Sequence, residues 1–471
     1  MRGRVKGVTT DFVPHTDEDV RAMLAAVGVA SVDDLFADIP KALRLGRALD
    51  LPAGCSEIEV EAELQALAGR NRPAASLACF LGAGVYDHYV PLVVGAVTSR
   101  SEFLTAYTPY QPERSQGVLQ SIFEYQTAIC EITGLDVSNA SLYDGGTAVA
   151  EAGFLAHAHT GRAKVVISDA VHPEYRQVLF TETAGCAPAG CGPAPVEVAS
   201  VGGVTPTDAL RAAVDDQTGA VILQQPNFFG GLEDMAQAAQ IAHDAGALLV
   251  AVVDPISLGL LQPPGAYGAD VAVGDGQPLG QGMNFGGPHL GFMAARQELV
   301  RRMPGRIVGQ TVDLDGKTGY VLTFQTREQH IRREKATSNI CSNQALNALA
   351  ALVYLSWLGK GGLPELALLC ARKADYLRER ILALPGVEPY TAGPMFREFA
   401  VRLPRPAAQV VDALADGGFL AGLDVGRFYP GGDDVLLIAV TERRTRAQMD
   451  AYVEALADVL AGRRVKEVRH A

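Results

Sequence analysis

The chain has 471 residues, of which 48% are hydrophobic and 20% are charged, and its formal net charge is −13. The length exceeds the roughly 100–200 residues of one typical domain, and the composition excludes a disordered chain, so we expect two or three folded domains. The acidic balance argues against nucleic-acid binding, whose affinity comes mainly from Lys and Arg at phosphates.

The cysteines and the apolar runs give no sign of a metal centre or of export. There are seven cysteines, an odd number, without a Cys-x-x-Cys pair, so neither a disulfide framework nor a zinc site is expected, including in the loop between Cys186 and Cys191. No signal-peptide pattern is present, and the longest nearly apolar run, 247–261, is shorter than the ~20 residues that cross a bilayer. We therefore expect a cytoplasmic protein without a bound metal.

The first hundred residues predict a helical arm. Thr16 precedes a run with acidic residues in its first turn, where the helix dipole favours them. Ser31 and Ser56 each precede an acidic residue three positions later, Asp34 and Glu59, as in a capping box. We assign residues 1–100 to this arm.

From about residue 120 the pattern changes to short apolar strands that alternate with helices. The strand candidates are 164–168, 218–224, 247–253, 271–273 and 290–294, and a helix is predicted at 234–245. Strands that are apolar on both faces indicate a mainly parallel sheet covered by helices on both sides. We assign 101–337 to this large α/β domain.

A smaller α+β domain is predicted after a linking helix. The linking helix spans 338–360, and the domain spans 361–471. Its predicted elements are helix 364–383, strands near 388–390, 396–403 and 435–440, and helix 445–461.

Two polar residues follow predicted strands at the edge where ligands of such sheets bind. Asp254 can cap the next turn, but in pyridoxal enzymes a carboxylate at this place pairs with the protonated pyridine nitrogen. His172 lies four residues after a strand, where its ring is placed either to stack on a planar cofactor or simply to pack. Position alone leaves both interpretations open.

The loop that should hold such a cofactor contains no lysine. A pyridoxal enzyme of this layout needs a lysine for the Schiff base, and we expect it near residues 274–287. No lysine occurs between Lys164 and Lys317, and Gln277 and Pro278 stand in that loop. Neither side chain forms an imine, so a pyridoxal scaffold with this sequence cannot anchor its own cofactor covalently.

Residues 301–335 form a basic stretch, with eight basic and four acidic residues, in an acidic protein. A solvated charged face is the simplest interpretation. The stretch runs into Ala336-Thr-Ser-Asn339, which we interpret as a hydroxyl-rich helix start, and helix starts hold anions. A phosphate, a carboxylate or an acidic protein partner is compatible with this pattern.

Residues 107–117 predict an ordered, extended loop. The segment contains two tyrosines, Tyr107 and Tyr110, and two prolines. Rigid aromatic loops suit interfaces and pocket walls because they lose little entropy on contact.

Together these segments resemble the P-protein of the glycine cleavage system in its split bacterial form. The matching stretches include Val13-Pro-His-Thr16, Ala106-Tyr-Thr-Pro-Tyr-Gln-Pro-Glu113, Gln225-Pro-Asn-Phe-Phe-Gly230, Phe285-Gly-Gly-Pro-His289 and Arg333-Glu-Lys-Ala-Thr-Ser-Asn-Ile-Cys341. They are distributed along essentially the whole chain, and the longer strings are unusual enough to make chance matches improbable.

The resemblance implies a pyridoxal-phosphate-dependent transferase of fold type I, with a mainly parallel seven-stranded sheet and a smaller C-terminal domain. This family decarboxylates glycine with pyridoxal phosphate and passes the aminomethyl group to the lipoyl arm of the H-protein. In the split form the β chain carries the Schiff-base lysine, so the missing lysine identifies this chain as the α subunit of an α2β2 assembly. The resemblance makes His172, Asp254 and Gln277 vestigial cofactor positions.

No catalytic residue is then expected on this chain alone, and its functional residues should complete the β subunit's site. The candidates are Tyr107, Thr108, Tyr110, Gln111, Arg333, Lys335, Thr337, Ser338 and Asn339. Two alternatives stay open: a self-sufficient pyridoxal enzyme that uses Lys317 or Lys335, and a cofactor-free structural or regulatory paralogue.

Overall fold

The computed structural model of the chain describes residues 14–47, 49–186 and 192–465. The chain divides after Asn71 into two compact units. The predicted arm extended to residue 100, whereas residues 72–100 belong to the second unit, since Ala78 and Cys79 are buried and pair with a strand near the end of the chain.

The first unit is helical, as the capping patterns predicted. It contains α1 (Asp17–Val27), α2 (Glu57–Ala68) and the 3-10 helices Val32–Phe36 and Lys41–Leu43. Thr16, Ser31 and Ser56 each form a capping box with the acidic residue three positions on. None of the helical residues in this unit is buried, although many are apolar.

The second unit contains the remaining helices and all the named strands of the described residues. The helices are α3 (Leu92–Thr98), α4 (Ser101–Leu104), α5 (Gln116–Thr133), α6 (Gly145–Thr160), α7 (Pro173–Ala184), α8 (Thr207–Ala213), α9 (Met235–Asp244), α10 (Gln329–Arg332), α11 (Ala345–Leu382), α12 (Ala407–Asp416) and α13 (Arg446–Leu460). The strands are β1 (Ala78–Cys79), β2 (Val137–Ser138), β3 (Lys164–Ser168), β4 (Ala194–Val198), β5 (Thr218–Gln225), β6 (Leu248–Val253), β7 (Val271–Asp275), β8 (Gly291–Ala295), β9 (Ile307–Val312), β10 (Thr318–Thr323), β11 (Glu388–Pro389), β12 (Glu398–Arg402), β13 (Phe419–Leu420), β14 (Leu423–Asp424) and β15 (Val435–Ala439). Short 3-10 helices lie at Ala74–Ser76, Ser257–Gly259, Pro264–Tyr267, Asn284–Gly286, Gln297–Leu299, Gln325–Arg327, Arg333–Lys335 and Val425–Arg427.

The main sheet has seven strands in the order β2-β8-β7-β6-β5-β3-β4. The pairs from β7 through β6, β5 and β3 to β4 are parallel, whereas β8 runs antiparallel to both its neighbours. The predicted mainly parallel seven-stranded sheet is therefore confirmed, and the five predicted strands correspond to β3, β5, β6, β7 and β8.

Helices cover both faces of this sheet. Along β6, Leu249, Ala251 and Val253 face a core shared with α5, α9 and α11, while Leu248, Val250 and Val252 face a core shared with α6 and α7. Because successive side chains of a strand point to opposite faces, a strand buried on both sides must be apolar throughout, as the sequence pattern indicated.

The helix predicted to start at Ser338 starts instead at Ala345. Residues 336–344 are non-helical because tertiary contacts hold their backbone: the Cys341 and Ser342 N–H groups donate to the Tyr143 hydroxyl, and the Gln344 N–H group donates to the Ser141 hydroxyl. The prediction of a helix start at Thr337, Ser338 and Asn339 is therefore wrong. Helix α11 is interrupted at Gly359, whose φ of 63° lies in the left-handed region that glycine favours.

The C-terminal part of the second unit forms a four-stranded antiparallel sheet in the order β11-β12-β15-β14. The second half of α11 packs with α12 and α13 against it through buried residues such as Leu377, Leu414 and Leu456. Strands β9 and β10 form a separate hairpin beside α5.

Candidate functional site

The three predicted cofactor positions come together where β3, β6 and β7 end. His172 and Asp254 line a small cavity there, which we call the strand-end cavity, and Gln277 lies between two further lining residues, Asp275 and Pro278. The parallel strands bring these residues to one edge of the sheet, as expected. The contacts of each side chain decide whether this edge can hold a cofactor.

The His172 ring stacks on a side chain of this chain. Tyr175, one turn later on α7, lies parallel to it, with ring centroids 4.4 Å apart and an interplanar angle of 24°. The His172 Nδ1 atom accepts from the Glu174 N–H group (3.2 Å), and its Nε2–H group donates to the Ala83 carbonyl oxygen (2.9 Å), which fixes the neutral tautomer. Burial also lowers the pKa of His172. One face of the His172 ring is therefore covered by Tyr175.

Asp254 is paired with a buried arginine. Its Oδ2 atom lies 2.6 Å from the Nε atom of Arg397, whose side chain is only 2% exposed and whose guanidinium lies 3.6 Å from the centre of the Tyr86 ring. The Asp254 Oδ1 atom accepts from the Ile256 N–H group at 3.0 Å, which is the turn-capping contact considered from the sequence. Both carboxylate oxygens therefore have partners within the chain.

Gln277 is completely buried and hydrogen-bonded. Its Oε1 atom accepts from the Tyr86 N–H group (2.9 Å), and its Nε2 atom donates to the carbonyl oxygens of Tyr86 (3.1 Å) and Gln281 (2.9 Å). These bonds fasten the loop after β7 to the segment around Tyr86. The residue that stands where a lysine was expected thus has a structural role.

The start of α6 is capped by two carboxylates. The Asp144 Oδ1 atom accepts from the Thr147 N–H group at 2.8 Å, and the Asp275 Oδ2 atom accepts from the Gly145 N–H group at 3.1 Å. A helix start attracts anions, and here the chain supplies them itself. The hydroxyl of Tyr175 is packed so closely that a Cβ added to Gly145 would lie 2.5 Å from it.

Pyridoxal phosphate does not fit among these residues. The strand-end cavity has a volume of about 30 Å³. That volume holds about one water molecule, whereas cofactor pockets measure roughly 300–1,000 Å³. Tyr175 covers one face of the His172 ring, Arg397 forms an ion pair with Asp254, and the carboxylates of Asp144 and Asp275 cap the start of α6. Tyr175 and Arg397 were not selected from the sequence; an aromatic residue three positions after a histidine on a helix was the available signal for Tyr175.

The predicted loop at residues 107–111, which we call the tyrosine loop, is non-helical and largely exposed. Tyr107 is 83% exposed, and Thr108 and Pro109 line a cleft of about 270 Å³ together with residues 342–346. Gln111 is exposed at the end of the loop. The structure thus places this loop beside the segment that follows Asn339.

Tyr110 attaches the tyrosine loop to a buried arginine that the sequence analysis did not select. The Arg306 Nη2 atom donates to the Tyr110 hydroxyl at 3.1 Å, and the guanidinium lies 5.6 Å from the centre of the ring. Arg306 is 4% exposed, and no carboxylate among the described residues forms an ion pair with it. Its Nε and Nη1 atoms are buried without a hydrogen-bond partner among those residues.

The second predicted segment, residues 333–339, is partly packed against the protein and partly exposed to solvent. The Ser338 hydroxyl accepts from the Ile340 N–H group (3.1 Å) and lies beside the buried Glu151 on α6, and burial raises the pKa of Glu151 to about 7. Thr337 is half-buried, while Asn339, Arg333 and Lys335 are exposed. The structure brings Tyr107 and Thr108 to the cleft formed with residues 342–346 but leaves Arg333 and Lys335 outside it.

Other kinds of site find no support within the described ranges. No group of three or more His, Cys, Asp or Glu side chains is arranged there to hold a metal ion, and Cys191 lies outside those ranges. No helix in the described part of the chain is long and apolar enough to span a bilayer.

Comparisons with known proteins agree over nearly the whole chain. The family described as glycine cleavage system P-protein matches residues 10–456. A protein of Carboxydothermus hydrogenoformans named probable glycine dehydrogenase (decarboxylating) subunit 1 is 55% identical over 447 residues, which are 94% of this chain and 99% of that protein.

Solved structures give the same picture. A crystal structure of glycine decarboxylase (P-protein) of the glycine cleavage system, in inhibitor-bound form, superposes with a TM-score of 0.86 at 49% identity, covering 96% of this chain and 100% of that one. A cysteine desulfurase of Escherichia coli shares the fold alone, with a TM-score of 0.58 at 15% identity over 85% and 98% of the two chains. The predicted fold type I is confirmed.

Proposed function

The chain belongs to the glycine cleavage system P-protein family, and we propose that it is the α subunit of a two-chain glycine decarboxylase and completes the pyridoxal-phosphate site of a lysine-bearing β subunit. The enzyme would convert glycine and the lipoylated H-protein into the aminomethyl-loaded H-protein and CO₂. The activity is that named for the subunit 1 relative and for the P-protein crystal structure.

The observation that most strongly supports placing the cofactor on the β subunit is that this chain's own side chains fill most of the space at the strand ends. The chain has the fold of a pyridoxal enzyme, yet Tyr175 stacks on the His172 ring and Arg397 forms an ion pair with Asp254. In addition, no lysine occurs between Lys164 and Lys317. Pyridoxal phosphate supplies an electron sink for decarboxylation when it is bound. On this proposal it is held covalently by the β subunit, and this chain takes no covalent part in the reaction.

An exposed apolar surface beside the tyrosine loop supports the presence of a partner chain. A cleft of about 510 Å³ lies between α3, α5 and α11 and is lined by Val93, Phe103, Leu349 and Trp357 among others. Leu92 on α3 is 89% exposed and Trp357 on α11 is 53% exposed. Contiguous exposed apolar surface of this kind marks protein–protein interfaces. We propose that the β subunit covers this surface.

The tyrosine loop is the segment we propose for the shared site. Arg306 holds Tyr110 from below, which leaves Tyr107, Thr108 and Gln111 to meet the partner's site as wall or substrate contacts. Thr337, Ser338 and Asn339, with Arg333 or Lys335, are the proposed contacts to the cofactor phosphate or the glycine carboxylate. Arginine and lysine are suited to both anions.

The two alternatives are less well supported. Lys317 lies beside the β9–β10 turn with its side chain 77% exposed and 3.8 Å from Asp315, and Lys335 is exposed in a 3-10 helix. Neither lines the strand-end cavity. A purely regulatory paralogue would have no need for an attached polar loop beside the partner surface.

The proposal extends to an α2β2 assembly in the cytoplasm.

Reconstitution tests the proposal. The chain is mixed with a lysine-bearing β subunit, pyridoxal phosphate and glycine, and glycine–bicarbonate exchange is measured. We expect exchange only when both chains are present, and we expect replacement of Tyr107, Thr108 and Gln111 by alanine to reduce exchange without preventing assembly. Replacing Val201, an exposed residue elsewhere on the second unit, provides the control. Unchanged exchange in the triple variant would contradict the placement of the loop, and no exchange in the mixture would favour a regulatory role.

A further inference from the structure

A second concave site lies far from the strand-end cavity, where the end of α6 meets the segments that follow β8 and β10. It has a volume of about 460 Å³, which is in the range of pockets for small molecules. Six of its lining residues are His159, Arg301, Arg302, Phe324, Arg327 and Arg332. We call it the arginine pocket.

The arginine pocket is separate from the strand-end cavity. Gly145, against which Tyr175 packs, is the first residue of α6, and His159 lies near the end of the same helix. At 1.5 Å per residue these two residues are about 20 Å apart. The two sites therefore lie at opposite ends of α6.

The charges around the pocket are strongly unbalanced. Four guanidinium groups line it together with a single carboxylate, that of Glu298. Within the described part of the chain, Arg301, Arg302 and Arg332 form no ion pair. Arg301 lies 5.4 Å from the centre of the Phe324 ring, which holds its guanidinium in place over one wall. Like charges gathered in a concavity raise the local potential for an anion.

Arg327 gives the pocket a fixed donor. Its two terminal nitrogens donate to the carbonyl oxygens of Met303 and Gly305, so the guanidinium plane is oriented by the backbone. Its Nε atom is buried and has no hydrogen-bond partner among the described residues. An acceptor oxygen that reached this atom would satisfy a buried donor that the described residues leave unpaired.

The structure also divides the basic stretch of the sequence into parts with different roles. Arg306 is buried under Tyr110, and Lys317 is exposed beside the β9–β10 turn. Arg301, Arg302, Arg327 and Arg332 are the members that surround one concavity. A flat docking face for an acidic protein does not require such a concavity, whereas a compact ligand does.

We propose that the arginine pocket binds a small phosphorylated anion with two or more negative charges. Arginine forks match phosphate oxygens in pairs, and several of them around one cavity neutralise more than one charge. The inference concerns binding by this chain and does not depend on the proposed role in glycine decarboxylation.

Isothermal titration of the full chain with inorganic pyrophosphate in a low-chloride buffer tests the proposal. We expect saturable binding at one site per chain with a dissociation constant below about 1 mM, an affinity typical of a weak specific site. The R301Q/R302Q variant should weaken binding at least tenfold. R211Q, which changes an exposed arginine on α8, is the matched control and should bind as the unaltered chain does. Circular dichroism of each variant verifies that it is folded.

The ligand source is distinguished by titrating ADP in parallel. Binding of ADP at least tenfold tighter than pyrophosphate would identify a nucleotide, while equal affinities would identify the phosphate groups alone; both support the proposal. Absence of saturable binding, or an R301Q/R302Q variant that binds as tightly as the unaltered chain, would overturn it. Binding of polyglutamate without binding of pyrophosphate or ADP would also overturn it, in favour of an acidic macromolecule.

Discussion

Replacing Asp254 by asparagine separates a structural from a cofactor-binding role for this residue. Asparagine keeps the shape of the side chain and the oxygen that accepts from the Ile256 N–H group, but it removes the charge 2.6 Å from Arg397. Arg397 is 2% exposed, so its guanidinium cannot turn to water. Leaving one member of a buried ion pair without its partner costs about 3–5 kcal/mol. We therefore expect Asp254→Asn to lower the free energy of unfolding by about that amount.

Urea unfolding of the isolated chain at pH 7, followed by far-UV circular dichroism, measures this loss. Asp315→Asn is the matched control, because it removes the same charge from an exposed pair 3.8 Å apart, and such pairs contribute little to stability. Adding Arg397→Met to Asp254→Asn should restore part of the stability, since the buried guanidinium that lost its partner is then also removed. An Asp254→Asn chain of unchanged stability that abolishes cofactor binding in the assembled enzyme would refute the structural assignment.

Three further predictions follow from buried contacts. Burial raises the pKa of Glu151 to about 7. Its protonated form is therefore favoured in the folded state, so the contribution of Glu151 to stability is fully present below about pH 4.5 and decreases by about 3 kcal/mol as the pH rises to about 7. Glu151→Gln should remove this slope in unfolding measurements between pH 5 and 8, and parallel pH profiles would contradict it. Gly145→Ala should destabilise the chain by about 1–3 kcal/mol in thermal unfolding, because the new Cβ would lie 2.5 Å from the Tyr175 hydroxyl. Gly117→Ala on α5 is the control: nothing lies within 4 Å of its new Cβ, so it should be neutral or stabilising in the same measurement. Arg306→Gln should release Tyr110 and lower glycine–bicarbonate exchange in the assembled enzyme at least tenfold, while size-exclusion chromatography shows intact assembly. The control variant Arg211→Gln should leave exchange unchanged. Equal rates for the two variants would contradict a role for Arg306 in positioning the loop.

The sequence predicted the fold where local pattern and burial coincide. Strands such as Leu248–Val253 are apolar on both faces because helices cover both sides, so their composition alone identifies them. Strand β4 was not predicted, since its Glu197 is exposed and Pro195 interrupts the pattern. Strand β2 has only two residues, too few for any periodicity.

The helix start at Ser338 was predicted wrongly because a local pattern was overruled by distant contacts. Hydroxyl-rich residues favour helix starts, but here the Tyr143 and Ser141 hydroxyls hold the backbone of 341–344 in a non-helical form. Nothing in the segment itself indicates those partners.

The candidate site shows the same limit. The missing lysine is visible in the sequence, since no lysine stands between Lys164 and Lys317. The pairing of Asp254 with Arg397, the stacking of Tyr175 on His172 and the support of Tyr110 by Arg306 join residues that only the fold brings together. The functional assignment of the tyrosine loop stays a prediction until it is tested with a partner chain.

Locating the covalent cofactor link tests the central claim most directly. The assembled enzyme is treated with borohydride, which makes the link between pyridoxal phosphate and its lysine permanent, and both chains are digested and analysed by mass spectrometry. We expect the pyridoxyl group on one lysine of the partner chain and on no lysine of this one. A pyridoxyl group on Lys317, Lys335 or any other lysine of this chain would contradict the account.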